Sequence, residues 1–150
     1  MKLYLIQHGL ALAKEEDPER PLSTQGKAQT QRTAEYLKSR SIKVDTIWHS
    51  TKLRAVQTAE IIAEVLPCGK IQARDDMNPL DTVEKLPEEI LASNKDIMII
   101  GHLPFLQKLA DRLLTGSEES KIIAFKNSGV VSLDYGEECQ IDWLVSPEHM

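Results

Sequence analysis

The chain has 150 residues, 41% of them hydrophobic and 27% charged, and a formal net charge of −5. That length suits one folded unit with a sizeable core, so residues 1–150 are expected to form a single domain. The acidic balance argues against nucleic-acid binding, which shows a basic footprint, and means that an anionic ligand needs a local positive pocket.

No apolar segment approaches the roughly 18–20 residues that span a bilayer, and no basic stretch followed by a long apolar run opens the chain. Cys68 and Cys139 lie far apart, form no CxxC pair and read as reduced thiols. The expectation is a cytoplasmic, monomeric protein with no membrane partner.

The elements alternate along the chain. Lys2–Gln7 reads as a buried strand that runs into Gln7-His8-Gly9, with a tight turn at Gly9. Ala11–Arg20 is polar, carries Pro18 and is followed by Pro21, and reads as a loop. Ser23 is placed to cap a helix through about Ser39. Val44–His49, rich in β-branched and aromatic residues, reads as a strand. Lys52–Val65 is helical, with Leu53, Val56, Ile61 and Val65 at helical spacing. Lys70–Ala73 is a short strand and Thr82–Ala92 a helix. Asp96–Ile100 is a continuous apolar strand of the kind buried on both faces. Pro104 suits the first turn of a helix to Leu114. Val130–Tyr135 and Gln140–Val145 close the chain, with a hairpin around Gly136. Leu3, Leu5, Ile97, Ile99 and Leu109 are core by pattern. Strands alternating with helices imply an α/β fold of three layers with a mostly parallel sheet, and the last two strands add an antiparallel pairing at one edge.

Three strands end in residues of one chemical character. The first runs into His8, the second into His49-Ser50 with Arg54 in the next helix's first turn, and the third into Gly101-His102-Leu103-Pro104. Parallel neighbours bring such ends to one rim, where open α/β sheets place chemistry. A cation in a helix's first turn is disfavoured by the helix dipole, so an anionic ligand makes better sense of Arg54. Arginine forks and helix N-termini together suit phosphate. Ser50 and Ser23 read as helix caps, His49 as incidental and His149 as part of a frayed end. The four histidines and two cysteines show no metal-ligand spacing, so neither a metal nor another cofactor is expected.

The order Gln7-His8-Gly9, Arg20-Pro21-Leu22-Ser23 with Gly26, Ser50 then Leu53-Arg54-Ala55 and Gln57-Thr58-Ala59, Gly101-His102-Leu103-Pro104, and finally Trp143 with Ser146-Pro147 resembles the histidine phosphatase superfamily of phosphoglycerate mutase-like fold. Within it, the chain is most similar to the small phosphohistidine phosphatases of the SixA type. The resemblance spans nearly the whole chain. It implies that His8 is a nucleophile forming a phosphohistidine, that Arg54 and His102 bind the phosphoryl oxygens, and that Arg20 is a further pocket arginine. Gln7 and Gly9 would complete the phosphate-binding set. The partner it implies is a phosphohistidine-bearing phosphorelay or phosphotransfer protein in signal transduction.

Gln7 departs from the family's Arg-His-Gly signature. Glutamine can donate one hydrogen bond but brings no charge, and losing one donor in such a site costs about 10²–10³ in rate. Larger family members also carry a glutamate that protonates the leaving oxygen. The corresponding region here reads Asp75-Asp76-Met77-Asn78-Pro79, and neither aspartate is assigned that role. A phosphoramidate leaves with less assistance, which favours phosphohistidine over sugar phosphates, as does the absence of an insertion long enough to form a lid. Two alternatives remain open: a phosphate-binding regulatory module with weak turnover, and a small-molecule phosphomonoesterase.

Overall fold

Alternate residues of the first strand face opposite ways, and both ways are apolar. Leu3 and Leu5 point into one core cluster, Tyr4 and Ile6 into the other. The computed structural model describes residues 1–150 and makes this strand, β1 (Lys2–Gln7), an interior member of a six-stranded sheet. The remaining elements are α1 (Thr24–Ser39), β2 (Val44–Ser50), α2 (Leu53–Val65), β3 (Cys68–Arg74), α3 (Leu86–Ser93), β4 (Ile97–Gly101), α4 (Phe105–Thr115), β5 (Val130–Tyr135), β6 (Cys139–Val145) and a 3₁₀ turn at Pro147–His149.

The strand order is β3-β2-β4-β1-β5-β6. The first four are parallel, β5 runs antiparallel to β1, and β6 antiparallel to β5. Helices α1 and α2 cover one face, contributing Ala34, Leu37, Ala59 and Ile62 to the cluster with Met98 and Ile100. Helices α3 and α4 cover the other, where Ile90, Phe105 and Leu109 pack on Ile97 and Ile99. The fold is thus the expected three-layer α/β arrangement, and the five core residues named from the pattern are all fully buried. Burying each such aliphatic side chain contributes about 1.5–3 kcal/mol before ordering entropy is counted. No helix is long and apolar enough to cross a membrane.

Three local expectations change. Helix α3 starts at Leu86 rather than Thr82. Pro87 lacks an N–H and is compatible only with the first turn, so a helix begun at Thr82 would have lost a backbone bond in its interior. Strand β3 extends to Arg74, whose guanidinium stacks 4.5 Å over Trp48 and pairs with Asp76 and Glu89. The C-terminus is packed rather than frayed: Pro147 is buried, Met150 packs against the α1–α2 cluster, and Trp143 lies against Tyr4, Tyr36 and Arg40. Ser23 does cap α1, its hydroxyl accepting from Gly26 N–H at 2.9 Å.

Candidate active site

Strand register gathers the site. Gln7 stands opposite Gly101 in the β1–β4 pairing, and His49 opposite Ile100 in β2–β4. His8 after β1, Ser50 at the end of β2 and His102 after β4 therefore emerge level on one rim. His8 N–H donates to the Gly101 carbonyl at 2.9 Å, which ties two of these ends together. The His8 and His102 rings lie 5.1 Å apart between centroids and are tilted by 56°.

His8 Nδ1 is 2.7 Å from the Gly9 carbonyl oxygen. A carbonyl can only accept, so Nδ1 carries the proton and Nε2 keeps its lone pair. Burial lowers the His8 pKa to about 4; the Gly9 bond works against this, and the charges of Arg54 and Arg20 add to it. At neutral pH the ring is uncharged, with Nε2 available as a nucleophile.

His102 is almost fully buried, and its Nε2 is 2.7 Å from Ser50 Oγ. Burial, then the neighbouring His8, Arg54, Lys52 and Arg20, lower its pKa to about 3. Arg54 stands in the first turn of α2, where burial and the Arg20 charge lower its pKa. Two buried side-chain nitrogens have no hydrogen-bond partner in the protein, and they are Arg54 Nε and His102 Nδ1. Buried polar atoms are almost always paired, so two unpaired ones on one rim point to an external acceptor.

Arg20 acts on the same groups electrostatically. Its backbone holds φ at 49°, a conformation that non-glycine residues adopt rarely and that clusters at functional positions. Its Nε donates to the Leu12 carbonyl at 3.1 Å, and the adjoining Leu22 N–H donates to Gln57 Oε1 at 2.7 Å. The cation is thus anchored through its loop to α2. Thr58 anchors the other loop: its hydroxyl donates to the Arg54 carbonyl at 2.8 Å and accepts from Gly9 N–H at 2.9 Å. Asn127 Nδ2 donates to the His8 carbonyl at 2.9 Å. The sequence alone does not assign Gln57, Thr58 and Asn127 these roles, since their partners are brought in only by the tertiary fold.

Several sequence expectations take a different form. Gly9 N–H is engaged by Thr58, so it is not a free donor for an anion. Nor is Gly9 required by a left-handed turn. What it supplies is space, because a Cβ there would come within 2.6 Å of Thr30 Oγ1. Ser50 does not cap α2; the cap position is Lys52, which makes no side-chain cap bond. Ser50 instead binds His102, and the buried His49 directs Nδ1 at the Ser50 carbonyl at 2.8 Å. Gln7 is half-buried, and its side chain joins none of the bonds that fix His8, Gly9 and His102. Asp76 is held below the usual carboxylate range by Arg74, which keeps it ionised and makes it a poor proton donor. Asp75 is exposed. No cluster of three or more His, Cys, Asp or Glu side chains is arranged to hold a metal ion.

The family model of the histidine phosphatase superfamily (branch 1) matches residues 3–82. The chain belongs to the histidine phosphatase superfamily. Its relatives within that superfamily include phosphohistidine phosphatase SixA of Escherichia coli (strain K12), 27% identical over 98% of this chain and 94% of that protein. A solved structure of the protein histidine phosphatase SixA complexed with tungstate superposes with a TM-score of 0.87 at 26% identity, covering 98% of this chain and 97% of that one. The alpha-ribazole phosphatase of Shigella flexneri shares the fold, with a TM-score of 0.76 at 17% identity over 98% of this chain and 97% of that one. Superfamily membership and fold together support phosphatase activity for this chain.

Proposed function

We propose that the protein is a phosphohistidine phosphatase acting on a partner protein through a phosphohistidine formed on His8. The observation that carries this reading is a neutral His8 with Nε2 free, beside two buried nitrogens, Arg54 Nε and His102 Nδ1, that lack a partner. In the first step Nε2 attacks phosphorus, a P–Nε2 bond forms, and the bond to the leaving imidazole nitrogen breaks. Water then attacks the phosphoenzyme and releases Nε2. Arg54, His102 and Arg20 bind the phosphoryl oxygens, whose charge must be stabilised throughout a loose transition state.

Two observations favour a phosphorylated histidine on a protein, from a phosphorelay or phosphotransfer system, as substrate. Asp76, tied to Arg74, is unsuited to protonating an alkoxide leaving group. The SixA relative is named for phosphohistidine, and its solved structure holds tungstate, an oxyanion. On this reading the protein works as a cytoplasmic monomer and needs no cofactor. The test is His8→Ala, which should abolish hydrolysis of a phosphohistidine protein that the wild type dephosphorylates. Full activity in the variant would overturn the proposal, and faster turnover of sugar phosphates would favour a small-molecule phosphomonoesterase.

Gln7 favours a second reading, a phosphate-binding module with little turnover, because an uncharged amide stands where the family signature has arginine. Gln7→Arg distinguishes the two. A rise of about a hundredfold from a negligible base supports the binding module, whereas brisk turnover by the unaltered protein eliminates it.

A further inference from the structure

The hydrogen-bonding order at Ser50 leads to a role for a residue that does not touch the phosphoryl group. Ser50 is fully buried, and its Oγ has two neighbours: the Lys52 N–H, which donates to it at 3.2 Å, and His102 Nε2 at 2.7 Å. The backbone N–H can only donate, so the hydroxyl proton is free to be given to Nε2. A neutral imidazole that accepts at Nε2 carries its proton on Nδ1. That is the buried nitrogen without a protein partner. In the opposite arrangement Nε2–H donates to Ser50, and Nδ1 turns a bare lone pair toward any oxyanion, which is repulsive.

We infer that Ser50 is a positioning residue that fixes His102 in the Nδ1–H tautomer, so that His102 donates to the phosphoryl oxygens. This rests on the phosphatase reading above and adds the source of the donor. Without the serine hydroxyl, nothing in the structure holds Nε2 as an acceptor, and an imidazole left to itself prefers its proton on Nε2. The Lys52–Ser50–His102 chain therefore does for His102 what the Gly9 carbonyl does for His8: one bond on one ring nitrogen decides what the other can do.

The experiment is nitrogen NMR of ¹⁵N-histidine-labelled protein with saturating inorganic phosphate, read alongside steady-state kinetics for the wild type, Ser50→Ala and Ser50→Thr. In the wild type, His102 should show a protonated Nδ1 and an unprotonated Nε2. Ser50→Ala should move the proton toward Nε2 and lower kcat roughly tenfold with KM little changed, a smaller loss than deleting the donor outright. Ser50→Thr, which keeps the hydroxyl, should restore the tautomer. A wild-type His102 protonated on Nε2 overturns the inference even if Ser50→Ala fails to fold, and so does a folded Ser50→Ala with unchanged tautomer and kcat. Full activity in His8→Ala would instead remove the phosphatase reading, and the tautomer measurement separates the two failures.

Discussion

His8 and His102 give the protein an acid sensitivity of defined direction. An unfolded histidine takes up a proton near its ordinary pKa of 6.5, whereas burial and cationic neighbours bring His8 down to about 4 and His102 to about 3. Folded values below the unfolded one mean that the unfolded chain binds more protons in between. Stability is therefore intact above about pH 6.5 and is lost as the pH falls toward the folded values. At about pH 5 the gap from the unfolded value corresponds to roughly 2 kcal/mol for His8 alone. In a chain of 150 residues that amounts to about 4–8 °C in melting temperature. Replacing the imidazole in His8→Asn removes the penalty. Calorimetry in phosphate-free buffer should show the wild type losing about 4–8 °C more than the variant between pH 7.5 and 5. Parallel melting curves, or a His8 ring that titrates near pH 6.5 by NMR, would refute the claim that this rim is desolvated and cationic.

Two substitutions probe the site from other directions. Arg54→Ala removes a guanidinium that offers several donors to an oxyanion and should lower kcat/KM about 10²–10³-fold with the fold retained, as judged by circular dichroism. Gly9→Ala drives a Cβ to 2.6 Å from Thr30 Oγ1, which is itself held by Gly26 and Ser128. The variant should be less stable by about 1–3 kcal/mol in urea unfolding, and adding Thr30→Ala should recover part of the loss.

Much of the architecture was legible in the chain because local patterns and tertiary packing agree. Leu3-Tyr4-Leu5-Ile6 and Ile97-Met98-Ile99-Ile100 are apolar on both faces, and both strands are covered on both faces. The convergence of His8, Ser50 and His102 followed from parallel strands alone. What could not be read are features that depend on a second segment. Ser50 looks like a cap until the β2–β4 register sets it against His102. Gly9 looks like a turn residue until α1 brings Thr30 against it. Gln57 and Thr58 look like one face of a helix until two loops place Leu22 and Gly9 within their reach. Pro87 is the exception: its missing N–H is a local signal for the late start of α3.

Trapping decides whether His8 carries the phosphoryl group during turnover. The protein is mixed with a phosphohistidine-bearing protein, quenched in alkali within milliseconds, and the modified peptide is mapped by mass spectrometry. Acid-labile phosphate is expected on His8, attached at Nε2, and none in His8→Ala. Turnover with no phosphate on His8 under conditions that preserve phosphohistidine would contradict this role of His8.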